Sequence, residues 1–434
     1  MNYLVNFKVK NFRSFYEEAI FSMQAESNKE MAELNTFVVN ENLLPKGENE
    51  LLKSAIIFGA NASGKSNLIK ALRYMRFVVL SSAGQMNNAI KSNEPFAFLD
   101  VANNEITQFE IDFIANGVFY NYGFDIQNKK IIREFLHKRV ERLSPVFERQ
   151  GSEITKLSNT DASFGKFINL SDQTLFLSFA VNLNLPQMKK DFLAVINWFG
   201  NLTPLTEMDM NGFDVYSESK QYLDIALELL KRADIGIDNF QVIKNKLADI
   251  ADKQRCIPVN IAINPLAPHQ LKQEQTGMFS LDLETTFSVY DSRNKVVGEK
   301  KVRLDRDYGF HSNGTYRLMC FLGFIIKNLH QGGVVIIDEI DSQLHFMVVD
   351  YLLKLYNSIS SNPKNAQLIC TAHSVLLMDG DLRRDQIYFT MKDEKGKTTL
   401  SSLSDYNGVK KTDLKSKKYL AGFYSAVPNM RRGK

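Results

Sequence analysis

Cysteine is scarce in this chain of 434 residues: there are three, Cys256, Cys320 and Cys370. They are scattered and odd in number. Neither a disulfide framework nor a zinc-ligand spacing follows, and a reducing compartment, the cytoplasm, is expected. Long hydrophobic runs are also missing. The longest, Leu318 to Ile326, is ended by Lys327 and is far short of a membrane span, so no membrane role is expected. No sustained heptad is present, which excludes long coiled-coil arms, and no internal repeat or low-complexity tract stands out. Charge of one sign is lacking too. The formal net charge is +4, compatible with nucleic acid without demonstrating it. The opening residues read as a strand, Tyr3 to Val9, and have no signal-peptide layout.

What is present suits a folded protein. Apolar residues make up 44% of the chain and charged residues 24%, enough for real cores, and the length suits two or three domains. Residues 1–140 read as strands around one helix. Ser54 to Phe58 is a short buried-strand run and Lys65 to about Leu80 is helical. Phe109 to Phe113 and Val118 to Phe124 form a meander turned at Asn116-Gly117. From 141 to 285 the pattern becomes mostly helical, with helical periodicity over Asp191 to Phe199 and Ser217 to Ala233. Turn clusters at 201–204 and 234–236 separate them. This reads as a compact insertion that supplies a dimer or partner interface. Strand character resumes at Thr285 to Tyr290. From 286 to 434 the pattern is α/β: a helix from Thr315 to Leu329, a strand at 334–338, a helix from about Met347 to Ser358, and strands at 367–371 and 386–390. The fold class expected is α/β, with a mixed sheet, a β-meander lobe and a helical insertion.

Two stretches carry the chemistry. Gly59-Ala60-Asn61-Ala62-Ser63-Gly64-Lys65-Ser66 follows an apolar strand and opens a helix, the context that a Walker A phosphate loop requires. Its glycines let backbone N–H groups turn toward phosphates, and the helix N-terminus adds its positive end. Lys65 is suited to neutralise β/γ oxygens and Ser66 to ligate Mg²⁺. The second stretch, Val334-Val335-Ile336-Ile337-Asp338-Glu339, ends an apolar strand in two carboxylates. Asp338 is expected at the metal and Glu339 as general base toward water. An acidic pair at a strand end is a moderate signal alone and a strong one beside a phosphate loop. Together they predict an ATP hydrolase using ATP and Mg²⁺.

Three further positions fit around this pair. Ser312, in His311-Ser312-Asn313-Gly314-Thr315, is placed to cap the helix that leads into the second stretch, and Gly314 permits close backbone approach. Asp341 lies two residues beyond Glu339. His373 follows the strand 367–371 and is placed to reach a terminal phosphate. His137, His269, His330 and His345 read as structural. Gln108, beside a strand, is a candidate for a Q-loop glutamine.

These motifs resemble a known family. Phe7 to Phe15 resembles the first strand of RecF/SMC-type ATPase heads, and Gly59 to Asn67 resembles their phosphate loop, including the trailing Asn67. The whole chain looks like the small bacterial ABC-type ATPases of abortive-infection and phage-defence systems, the RloA/AbiL-like group. Ser312 to Thr315, Val335 to His345 and Tyr419 to Pro428 carry that likeness, which is dense in both ATPase lobes and weak across the insertion. His311 and Phe346 depart from the pattern, which usually has an acidic residue and a proline there. The resemblance implies an ABC-type head that dimerises around two ATP molecules, each held between one copy's phosphate loop and the other's Ser312 loop, with Gly314 and Asp341 at the shared site. It also implies a separately encoded effector, such as a nuclease or toxin, and a phage protein as trigger.

The competing readings are a RecF-like DNA-repair ATPase that clamps DNA on binding ATP, and an OLD-like protein with its own nuclease. After His373 about 60 residues remain, with one clear strand and a basic tail, Lys410, Lys411, Lys415, Lys417, Lys418, Arg431 and Arg432. That leaves no room for a Toprim domain, and no intrinsic nuclease is expected. A transporter subunit is disfavoured because its two motifs would stand much closer together.

Overall fold

The computed structural model describes residues 2–27, 30–40, 43–44, 49–84, 89–158, 170–181, 186–205, 212–233, 235–246, 279–304, 310–409 and 413–427. Cys256, His269, Asp234, Pro428, Lys410, Lys411, Arg431 and Arg432 lie outside these residues. Two compact units result. One comprises Met1–Thr206, Gln331–Asp341 and Val349–Lys434; the other comprises Glu207–His330 and Ser342–Val348.

The first unit contains a six-stranded sheet. Its order is Thr203–Leu205, Val334–Ile337, Gln367–Thr371, Ser54–Gly59, Ile387–Lys392 and Thr398–Ser402. The first five strands run parallel and the last is antiparallel. A parallel sheet is covered on both faces, so its strands are apolar without alternation. Ile56, Ile57 and Phe58, and Val334 through Ile337, are accordingly all buried. Motifs that stand far apart in the chain thus end at the same edge. Strand 367–371 lies between the strand that leads to the phosphate loop and the strand that leads to Asp338.

A second, seven-stranded sheet is antiparallel throughout. It runs from Glu153–Leu157 through Leu143–Gln150, Lys130–Arg139, Val118–Gln127, Thr107–Ala115 and Asn2–Lys10 to Ala19–Ser22. Its hairpin at Asn116 and Gly117 has φ of 52° and 79°, the two left-handed positions of the turn that matches strand twist. Trp198 and Phe199, on the helix Pro186–Asn201, pack on Phe113 with ring centroids 4.4 and 6.0 Å away. Arg76, on the helix Lys65–Ser81, donates to the Phe199 carbonyl at 2.9 Å. The phosphate-loop helix is therefore clamped to the helix that covers the meander.

One ion pair in this sheet is fully buried. Arg149 Nη1 lies 3.4 Å from Glu134, with both side chains inaccessible to solvent. The Glu134 carboxylate accepts from the N–H groups of Phe176 and Leu177 at 2.6 and 3.0 Å and from the Tyr122 hydroxyl at 3.1 Å. Arg149 donates to the carbonyls of Gly151, Ser171 and Thr174. Burial pushes the Glu134 carboxyl up, and Arg149 and the two backbone donors pull it back.

The second unit holds the helices Phe213–Glu218 and Lys220–Arg232, and the helix Asn313–Gln331 up to His330. It also contains a three-stranded antiparallel sheet in the order Asn239–Lys246, Phe279–Tyr290, Val296–Arg303. The mostly helical pattern expected over 141–285 misses the strands Leu143–Gln150, Glu153–Leu157 and Asn239–Lys246, whose strand state comes from the partners they pair with. The turn cluster expected at 201–204 is corrected as well. Thr203–Leu205 is an edge strand paired with Val334–Ile337, and an edge tolerates Pro204. After His373 there are two strands rather than one, since Thr398–Ser402 pairs with Ile387–Lys392.

Arg149→Met leaves the Glu134 carboxylate buried without its counter-ion. A loss of about 3–5 kcal/mol is expected, read as a lower midpoint in urea unfolding of the full chain. An unchanged midpoint would show that the pair does not hold segment 171–177 to the sheet.

Candidate nucleotide site

The phosphate loop is shaped by close backbone approach. Gly59 and Gly64 have φ of 156° and 112°. A Cβ on Gly59 would lie 2.5 Å from the Thr390 carbonyl oxygen, and one on Gly64 would run into the Thr398 side chain. Ala62, between them, takes a left-handed φ of 61°. Hydroxyls of the two neighbouring strands fix the curve. Thr390 Oγ1 lies 2.6 Å from Ser63 Oγ, and Thr398 Oγ1 donates to the Ser63 carbonyl at 2.8 Å. Asn67 Nδ2 donates to Ser14 Oγ at 2.7 Å, which ties the helix start to the first strand's turn.

Lys65 is buried, and its Nζ donates to the carbonyls of Gly59 and Ala60 at 2.8 and 3.1 Å. Burial lowers its pKa, while Glu339, Asp338 and Asp341 act in the opposite direction. The loop lines a cleft of about 660 Å³ together with Lys70, Glu339, His373 and Lys392.

The acidic side is built on Thr371. Its hydroxyl donates to Asp338 Oδ1 at 2.6 Å and accepts from the Glu339 N–H at 2.7 Å. Ser66 Oγ donates to the same Asp338 oxygen at 3.2 Å. The Ile340 N–H donates to the Thr371 carbonyl at 3.0 Å, and Glu339 is left-handed with φ of 52°. His373 Nε2 is 3.7 Å from Glu339 Oε1. Asp341 Oδ2 accepts from the N–H groups of His373 and Ser374 at 2.8 and 2.5 Å, so it holds the turn that carries His373.

The residues fit a magnesium–triphosphate. The two glycines let the loop pack directly on Thr390 and Thr398, where a Cβ would clash, and the Ser66 hydroxyl and Asp338 carboxylate offer the hard oxygen ligands that Mg²⁺ prefers. Gly59, Asn61, Ser63, Gly64, Lys65, Ser66, Asn67, Asp338, Glu339, Asp341 and His373 all belong to the first unit. Ser312 and Gly314 belong to the second. Ser312 Oγ accepts from the Thr315 N–H at 3.0 Å, the cap expected, and a Cβ on Gly314 would strike the Gln343 carbonyl. His311 Nε2 lies 2.8 Å from Thr285 Oγ1, and burial lowers its pKa. Gln108 does not line the cleft. It sits on the meander strand Thr107–Ala115, opposite Lys10 and Asp125, where the strand's own alternation turns it toward charged neighbours.

Sequence reasoning missed Thr371, Ser14, Thr390, Thr398 and Lys392. Thr371 had a weak signal, a hydroxyl at the end of the strand before His373. The others reach the loop only through pairing of strands distant in sequence.

The sheet, the loop and the facing carboxylates define a P-loop nucleotide-binding protein. The family described as "AAA domain, putative AbiEii toxin, Type IV TA system" matches residues 54–182 and 238–379, and the chain belongs to it. Among solved structures, an SMC head domain from Thermotoga maritima matches 92% of this chain and 98% of its own length, at 12% identity and a TM-score of 0.39. No curated protein matches the chain. Among the described residues no helix is long and apolar enough to cross a membrane.

Gly64→Ala is expected to cost about 1–3 kcal/mol of stability and to weaken ATP binding, measured by denaturant unfolding and by titration with ATP. Parental values in both would mean that the loop does not pack against Thr398 this closely.

Proposed function

We propose that this chain is an ABC-type ATPase that closes as a homodimer around ATP and Mg²⁺ and controls a separately encoded toxic effector in antiphage abortive infection. The observation that carries the ATPase reading is the convergence of Lys65, Ser66, Asp338, Glu339 and His373 on one cleft. Ser66 and Asp338 would hold Mg²⁺, which when bound would supply charge neutralisation to the phosphates. Lys65 gives up its loop carbonyls and binds the β/γ oxygens. Glu339 takes a proton from the water that attacks the γ-phosphorus, ADP leaves, and inorganic phosphate forms. His373 donates a hydrogen bond to the γ-phosphate, aimed by the Asp341 carboxylate. Ser312 and Gly314 of one copy cap the phosphate bound by the other. The family's link to toxin–antitoxin systems supports the effector.

Glu339→Gln is expected to bind ATP and to lower kcat by about 100-fold or more, trapping the dimer in size-exclusion runs with ATP. Ser312→Arg is expected to bind ATP as a monomer and to lose turnover; normal hydrolysis by that variant removes the trans arrangement. Tagged protein expressed from its native locus is expected to retain a second protein. ATP-dependent DNA binding by the isolated chain, with no co-purifying protein, would instead establish a RecF-like clamp.

A further inference from the structure

We propose that residues 419–427 are a working part of the nucleotide site, positioning the start of the phosphate loop and so setting the preference for a triphosphate over a diphosphate. The proposal rests on the nucleotide reading above. Its anchor is the Ala426 carbonyl, which accepts the Ala60 N–H at 3.2 Å and the Tyr419 hydroxyl at 3.0 Å. Ala60 is the second residue of the loop. Its N–H is committed to this carbonyl rather than turned toward the cradle, and that commitment aims the residues that follow.

A second cleft, of about 790 Å³, opens between Gly59, Ala60, Asn61 and His373 on one side and Tyr419 and Ser425 to Val427 on the other. It shares Asn61, Ser63, His373 and Lys392 with the phosphate cleft but does not include Ser66 or Asn67. Glu339 does not line it either; the two clefts meet at His373, the residue read above as reaching the terminal phosphate.

The segment is held firmly enough to act on the loop. Tyr424 stacks on Phe389 at 4.9 Å and 14°, and Tyr419 stacks on the same ring at 5.7 Å and 28°. Phe389 pairs in register with Phe58, the residue before Gly59. The Tyr406 hydroxyl donates to the Tyr424 carbonyl at 3.1 Å. Ser425 is then forced into the left-handed region, φ 55°, which turns the Ala426 carbonyl onto the loop. Tyr419 is thus a positioning residue, acting through Ala426 and Ala60.

Removing its hydroxyl loosens the loop at Ala60, on the terminal-phosphate side, while Ser63 keeps its own hold on Thr390 and Thr398. Tyr419→Phe in the full chain is expected to weaken ATP binding about fivefold while ADP binding changes less than about twofold, both read by isothermal titration with Mg²⁺. A role in folding alone would weaken both nucleotides equally and lower the Tm. Equal losses, or none, overturn the proposal. Hydrogen exchange of the nucleotide-free chain supplies an independent reading: the Ala60 amide is expected to exchange faster in Tyr419→Phe than in the parent. An unchanged rate overturns the brace even if the parent binds no nucleotide, an outcome that would separately remove the ATPase reading.

Discussion

The Thr371 hydroxyl holds the site together. It sits at the end of the strand between the phosphate-loop strand and the Asp338 strand, donating to one carboxylate and accepting from the N–H of Glu339. A single neutral group thus orients the Asp338 carboxylate and anchors the backbone of the next residue, Glu339, at the end of the neighbouring strand. Ser66 and Thr371 both donate to the same Asp338 Oδ1, so the carboxylate is held from the phosphate-loop helix and from the central strand. Parallel pairing places the three strands, and the side chains at their ends follow.

Charge across the cleft is balanced by design of the backbone as much as by side chains. Lys65 is buried, yet three carboxylates offset the loss of water around it and it is hydrogen-bonded to two loop carbonyls. In the proposed function such a lysine would exchange carbonyl partners for phosphate oxygens from a position already set by the fold. Asp341 works on geometry rather than charge alone: its two bonds to the backbone of His373 and Ser374 close the turn. The loop's far side is braced by hydroxyls of Thr390 and Thr398 and by the Ala426 carbonyl, so the cradle is held from three directions.

Legibility in the sequence followed the range of the forces involved. The strand Ser54–Gly59, the helix Lys65–Ser81 and the Asn116-Gly117 hairpin appear as expected because apolar runs, a glycine-bounded loop and a left-handed turn are local signals. Elements stabilised by their neighbours were not legible. Val296–Arg303 is polar and exposed, and it is a strand only because Phe279–Tyr290 offers it an edge. Thr203–Leu205 reads as a turn for the same reason: its strand state is conferred by Val334–Ile337.

By itself the sequence determined the chemistry available: a glycine cradle, one lysine, one serine and a carboxylate pair, each recognisable because its residue type and local spacing are what phosphate and magnesium require. It also determined the α/β class, through apolar runs alternating with helical periodicity. Only the tertiary structure decided that these groups meet, that Thr371 joins the Asp338 carboxylate to the Glu339 backbone, that Gln108 lies elsewhere, and that Ala426 reaches the loop. Those contacts join residues tens to hundreds of positions apart. Strand order and register create them, and no periodicity within a single segment encodes either.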